Sequence, residues 1–457
     1  MARKLMAVVL LVTAPWAAQA ETLLVHPDGS GTYPTIQAAV DAAGSGDVIE
    51  LTSGTFTGPG NRDIDYLGKA ITIRSQSGNP DACIIACGGS DAEHHRGFRF
   101  HSGEGPGSAL DGLTITGGYA PSGAAIYCSI PATPTLTDCV FHGNTATGSG
   151  GGLYCGDALT ITDCVFSGNS AANNGGAAAC GGGFSGGCLF VRCLFRENHA
   201  RYYGGVDCSH SSPTLLECTF IGNTAEGSGA FGGIWSVPTL TECTFINNTA
   251  ATSNGACFVE DAYFTDCIFV HNVASNRGGA VSCLGMPEFT RCTFSENEAP
   301  RGAVLCIIDG QASFEGCTLT HNRTVDASGA IEGYSGFADV VLQQTIVAFT
   351  EAGCAIHCTD GPCATLWCSD LYGNEGGDWV GDLEDQLGSD GNVSDDPLFC
   401  WPDPVEAADW SLHSNSPCAP PQSECGLMGA WDVGCGPTAA ESPTWGGLKA
   451  LFREATD

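Results

Sequence analysis

The chain of 457 residues contains 64 glycines and 26 cysteines, with 43% apolar and only 14% charged residues. It is too long for one ordinary core, and this composition suits neither a cytosolic α/β enzyme nor a disordered chain. Fifty acidic residues against 16 basic ones, net charge −34, would repel DNA, RNA and anionic membrane surfaces, so no nucleic-acid partner is expected.

At the N-terminus, Arg3 and Lys4, the apolar run from Leu5 to Val12 and the small-residue site Ala18-Gln19-Ala20 predict a signal peptide over residues 1–20. Its removal leaves 14 basic against 50 acidic residues, net −36. An exported chain suits the cysteine count, because thiols pair in oxidising compartments. No later apolar run reaches the roughly 20 residues of a membrane span. The product is expected to be extracellular or at the outer cell surface, monomeric, without a transmembrane segment.

Next comes the segment Val25 to Val40, in which Thr35 is placed to N-cap a short helix whose Ile36, Ala39 and Val40 would cover the open end of a stack. The stack itself is written from Cys139 onward. A block Cys-x-Phe-x-x-Asn recurs at Cys139, Cys164, Cys193, Cys218, Cys243, Cys267, Cys292 and Cys317, in steps of 25, 29, 25, 25, 24, 25 and 25 residues. The Asn column, Asn144, Asn169, Asn198, Asn223, Asn248, Asn272, Asn297 and Asn322, never breaks. Three residues before each Cys the chain is always apolar, from Leu136 to Phe314, and two after it stands Phe, or Leu319 in the last block. Side chains five apart on one straight strand point to opposite faces, so both columns are inside only if the chain turns a corner between them. Pairs such as Gly175-Gly176 and Gly204-Gly205 supply another corner. Short strands joined by corners every 25 residues predict an all-β fold: a right-handed parallel β-helix over 21–436, with a short N-terminal capping helix.

The alternation of Gly-Gly and Phe-x-x-Asn segments over roughly residues 110–350 resembles the repeats of the polymorphic outer membrane protein family and of the wider pectate-lyase-like superfamily. The stretch from Val25 to Val40 resembles the opening segment of that superfamily, pectin methylesterases included. Asp396-Pro397-Leu398-Phe399, Trp410-Ser411-Leu412 and Ser416-Pro417-Cys418 resemble its closing coils. The resemblance implies the fold; an activity needs its own residues. The Asp-Phe-x-Phe-Gly and Gly-Arg-Pro-Trp segments of pectin methylesterases, and the Asn-Thr-Asp and Gly-His-Gly of polygalacturonases, do not occur.

Five groups of residues are candidates for function. Arg192, Arg196, Arg201, Tyr202 and Tyr203 form the densest basic and aromatic stretch beside the one 29-residue coil, and are the candidate glycan or partner contact. Glu217, Glu242 and Asp266, like Asp138 and Asp163, place carboxylates on successive coils, where calcium is the cofactor such a row would take. The acidic run from Asp378 through Asp382, Glu384, Asp385, Asp390 and Asp395 to Asp396 is a second such place. The four-Cys run Cys354, Cys358, Cys363, Cys368 and the set Cys83, Cys87, His94, His95 are the zinc alternatives.

The remaining cysteines read as a disulfide framework. A second column, Cys128, Cys155, Cys180, Cys208, Cys257, Cys283 and Cys306, precedes the first by 9 to 13 residues. The candidates for pairing are Cys155, Cys164, Cys208, Cys218, Cys257, Cys267, Cys283, Cys292, Cys306 and Cys317, bonded within a coil or between coils. Ser236 stands where Cys243 should find a within-coil partner. After Pro437, Ser442 and Pro443, Trp445, Leu448, Leu451 and Phe452 predict an amphipathic helix within the segment 437–457. Two functions are compatible with these features: a non-catalytic surface or secreted protein binding glycans or proteins, or a polysaccharide lyase or related carbohydrate-active enzyme.

Overall fold

The computed structural model describes residues 20–181, 187–325, 328–359, 361, 363–401 and 409–435. The signal-peptide residues 1–19 and the C-terminal helix within 437–457 lie outside the described residues.

Each repeat lays down four short strands, as in Thr145–Ser149, Leu153–Cys155, Thr160–Thr162 and Val165–Ser167. Every one pairs in parallel with its equivalent one coil on, so that Leu136 faces Ile161 and Phe141 faces Phe166. Among the described residues this builds sheets of 14, 13, 12 and 9 strands, here called A, B, C and D, which the chain visits in the order D, C, A, B. The fold is an all-β parallel solenoid. Thr35 Oγ1 accepts from Ala38 N at 3.2 Å and caps the helix Ile36–Ala42, whose Ile36, Ala39 and Val40 are buried against the first coil. No helix among the described residues is long and apolar enough to cross a membrane.

The corner between sheets A and B has a specific backbone solution. The residue before each repeat cysteine sits in the left-handed region: Asp138 at φ 48°, Asp163 at 54°, Arg192 at 50°, Glu217 at 54°, Glu242 at 53°, Asp266 at 54° and Arg291 at 49°. The residue before each ladder Asn does the same, through Gly143, Gly168, Glu197, Gly222, Asn247, His271, Glu296 and His321. Two such corners five residues apart let the apolar, Cys and Phe columns all point inward. Each non-glycine residue held there costs about 1 kcal/mol. The stacked interior offsets that cost: consecutive Phe rings from Phe141 to Phe294 lie 4.6 to 5.2 Å apart, and the Asn side chains form one continuous amide ladder. In it each Nδ2 from Asn169 to Asn297 donates to the next Oδ1 and to the Phe carbonyl of the coil before, at 3.0 and 2.9 Å for Asn223. Opposite, the glycine corners pack backbone on backbone; a Cβ on Gly204 would lie 2.2 Å from Gly229 O.

The cysteines depart from the expected framework. All ten pairing candidates are reduced and buried, and the described disulfides are Cys358–Cys363, Cys368–Cys425 and Cys400–Cys435. The repeat cysteines form a thiol ladder at the A–B corner. Each Sγ sits over backbone carbonyls, as Cys218 over Phe190 O at 3.6 Å and Leu216 O at 3.4 Å. The second column is not one row. Cys128, Cys155 and Cys180 share a register, whereas Cys257 pairs with Phe231 and Val281, two positions earlier in its strand. Cys306 aligns with Ser282 and Glu332 on the outward row. The zinc reading of Cys354, Cys358, Cys363 and Cys368 fails as well, because three of the four are in disulfides.

Ser236 is correspondingly not the missing partner of Cys243. Its Oγ lies 3.7 Å from Cys208 Sγ, on the coil before. Ser236→Cys is therefore expected to form, on mild oxidation, a Cys208 disulfide that peptide mapping identifies, with Cys243 left reduced; a bond to Cys243 would contradict the register.

The segments resembling closing coils do not prolong the stack. Strands Phe399–Trp401, Asp409–His413 and Val433–Cys435 make a separate small sheet that lies along the outer face of sheet B. Trp410 and Trp431 pack on Ile268 and Val270, and Trp431 Nε1 donates to Thr293 Oγ1 at 2.7 Å. That flap explains why outward-facing residues of sheet B, Thr318 and Ile346 among them, are buried.

Candidate functional site

Immediately before each glycine corner runs a column the chain fills with unlike residues: Asn174, Tyr203, Ser228, Asn254, Arg277 and Arg301. Backbone bonds hold it in register, Gly204 N to Ser228 O at 3.1 Å, Asn254 N to Arg277 O at 2.9 Å and Gly278 N to Arg301 O at 2.9 Å. Beside it lies the outward row of sheet C, in which Asp207, Gly232, Phe258, Ser282, Cys306, Glu332 and His357 align. Tyr202, Tyr203, Ser228, Asn254, Phe258 and Arg277 line a groove of about 230 Å³ between them. This is smaller than the roughly 300–1,000 Å³ of cavities that engulf small molecules, and suits part of a larger ligand laid across the surface.

Two buried polar atoms of the groove, Asn254 Oδ1 and Arg277 Nε, have no partner within the protein. Asn254 is fixed from the other end, its Nδ2 donating to Ser228 Oγ at 3.1 Å. The guanidinium groups of Arg277 and Arg301 both stand 5.5 Å from the Tyr334 ring centroid, which orients them. Tyr202 is 44% exposed and Arg201 lies over its ring at 5.1 Å. Asp207 is buried; its Oδ1 accepts from Ser209 N at 3.0 Å and Ser209 Oγ at 2.6 Å, its Oδ2 from Asn174 Nδ2 at 3.0 Å. Burial nevertheless raises its pKa above the usual carboxylate range. Burial also pushes the Tyr203 hydroxyl well up, so it stays a neutral donor. Farther along the row Glu332 Oε2 meets His357 Nδ1 at 2.8 Å. The groove thus offers a ring face, a fixed amide acceptor and guanidinium donors: a set for binding hydroxyl- and carboxylate-rich ligands.

The expected contact residues divide between two faces. Arg201, Tyr202 and Tyr203 belong to the groove or its rim, with Arg201 Nε 3.3 Å from Glu226. Arg192 instead turns the A–B corner and forms a two-pronged pair with Asp163, 2.7 Å at each bond. Arg196 lies on sheet B between Ser167 and Ile221. Asn254, Arg277 and Arg301 escaped the sequence reading, although the residue before each glycine corner was the column to follow.

The proposed calcium row does not assemble either. Glu217, Glu242 and Asp266 are corner residues, and Asp266 is taken by Arg291, with Nε–Oδ1 at 2.7 Å. Asp378 in the acidic run caps a turn, accepting from Asn374 N at 2.8 Å and Gly373 N at 3.1 Å. His95 pairs with Asp63 at 2.6 Å and His94 lies against Tyr119, away from a common centre with the buried Cys83 and Cys87. Among the described residues, three metal-ligating atoms come within 4.8 Å of one another at Cys155, Cys180 and Cys188.

No curated protein matches the chain in sequence. Solved structures that resemble it include a rhamnogalacturonan lyase, at 14% identity over 77% of this chain and 87% of that one, TM-score 0.34. Another is a mannuronic acid specific polysaccharide family 6 lyase from human gut microbiota, at 12% identity over 82% and 91%, TM-score 0.39. A pectate lyase follows at 11% identity over 91% and 97%, TM-score 0.35. The family model for the right-handed beta helix region matches residues 105–262, and with the solenoid topology it identifies the fold as a right-handed parallel β-helix.

Proposed function

We propose that the chain is an exported, non-catalytic protein of the cell surface or the extracellular medium that binds glycan in the groove beside sheet C. The observation that carries this reading is the pair of buried, unpartnered atoms, Asn254 Oδ1 and Arg277 Nε, in the groove that Tyr202 also lines. A buried donor and acceptor without partners cost about 1–3 kcal/mol each unless a ligand or water satisfies them. The signal-peptide pattern of residues 1–20 supports export, and the likeness of the repeats to those of polymorphic outer membrane proteins favours retention at the surface. A glycan array probed with the full chain tests the reading. Arg277→Ala is expected to weaken binding to any glycan so found by about 10- to 100-fold, the worth of a charge-assisted hydrogen bond. Its melting temperature should not change. Arg192→Ala, at the Asp163 pair, should bind as the parent does. An array without a hit, or an Arg277→Ala variant of full affinity, sinks the proposal.

The buried Asp207 carboxyl beside the groove is the feature a carbohydrate-active enzyme would use, and a polysaccharide lyase is the second reading. Incubation with polygalacturonate and calcium separates the two: sustained growth of ultraviolet-absorbing unsaturated product would replace binding by lyase chemistry.

A further inference from the structure

The 29-residue coil between Cys164 and Cys193 adds a thiol at a place where its neighbours have none. Backbone bonds place Cys188 in a row with Leu159, Pro213, Pro238, Ala262 and Pro287, each carbonyl receiving the N–H of the strand that opens sheet A one coil on. In that row Cys188 meets the sheet C thiols Cys155 and Cys180, which face each other across adjacent coils. All three side chains are buried, at 0–1% exposure.

We propose that Cys155, Cys180 and Cys188 form an internal three-sulfur site for a soft d10 cation, Cu(I). The three Sγ atoms lie within 4.8 Å of one another, and Cys155 and Cys188 are 3.2 Å apart. Metal–sulfur bonds of about 2.3 Å around a trigonal centre set the sulfurs roughly 4 Å apart, so shifts below 1 Å convert the cluster into a coordination shell. Among the described residues no fourth thiol, imidazole or carboxylate comes within that distance of all three. Structural zinc wants four ligands and hard cations want oxygen, whereas thiolate-only low coordination suits Cu(I). All three side chains are closed off from the surface, so the ion would enter as the coils close around it and hold the two coils together.

The full chain, refolded anaerobically under reductant with one equivalent of Cu(I), tests the site. It is expected to retain the ion against a competing Cu(I) chelator and to show a sulfur-only, three-coordinate shell by X-ray absorption. Cys188→Ala and Cys180→Ala should each weaken retention at least 100-fold, while Cys243→Ala, in the corner ladder, should retain it fully. Alanine already occupies the Cys188 row at Ala262, and circular dichroism with the melting curve confirms that each variant is folded. Retention by Cys188→Ala equal to the parent's, nitrogen or oxygen in the shell, or a Cys155–Cys188 disulfide mapped in the natively isolated protein would each overturn the proposal.

Discussion

Asn223→Ala is expected to lower stability by about 3–5 kcal/mol, although the residue touches no groove. Its amide donates to Phe195 O at 2.9 Å and Asn248 Oδ1 at 3.0 Å, and its Oδ1 accepts from Asn198 N at 3.1 Å and Asn198 Nδ2 at 3.0 Å. Truncation leaves the Asn198 backbone N–H and one Asn198 amide hydrogen without partners in the buried interior, and takes one of its donors from the Phe195 carbonyl. Each such group costs about 1–3 kcal/mol, and nothing at 0% exposure lets water replace the lost bonds. Asn254→Ala, on the groove wall, should by contrast cost only about 1–2 kcal/mol, since it loses the single bond from Nδ2 to Ser228 Oγ and its Oδ1 has no partner to lose. Urea titration of both variants makes the comparison; an Asn223→Ala midpoint equal to the parent's would refute a load-carrying ladder.

The ladder was legible because it obeys one rule at one position. A step of 25 residues with invariant Asn and apolar columns tells which side chains stack, and parity demands a corner between Leu136 and Phe141. The backbone state of that corner was not legible. Asp138, Glu217 and Arg192 look like an exposed charged row, yet the row exists because one residue per coil must turn left-handed. Its members are placed there by that corner, and Asp266 is already held by Arg291. Cysteine spacing misled for a related reason. Cys208 and Cys257 both stand before a repeat cysteine, but a two-residue offset within their strands puts them in different rows, and sequence distance does not resolve such an offset. The groove was half legible: Tyr202 and Tyr203 are adjacent in the chain, whereas Asn254, Arg277 and Arg301 join them only through the stacking of coils.

The docking of the C-terminal flap should make the molecule less stable as pH rises from about 4 to 7. Asp370 faces outward from sheet B in register with Ile346, and the flap covers it completely. Its Oδ2 lies 3.1 Å from Cys418 Sγ and its Oδ1 accepts from Asp395 N at 3.1 Å. Burial is the largest influence on the carboxyl, and its pKa is pushed up to about 7. An unfolded Asp titrates near 3.9, so between these values the folded chain holds a proton that the unfolded chain has released. Stability is full below the lower value, falls through the interval by about 4 kcal/mol, and stays at the reduced level above it. Glu296, also raised to about 7 by burial, adds a slope of the same sign. Asp370→Asn keeps the acceptor for Asp395 N and removes the charge that must be buried. It is expected to raise stability by several kcal/mol at pH 8, to change little at pH 4, and to leave the shallower slope that the other buried carboxyls, Glu296 and Asp207 among them, supply. Urea unfolding of the parent and the variant at both pH values decides the matter: if the two stability curves run parallel, Asp370 is not the group that couples the flap to pH.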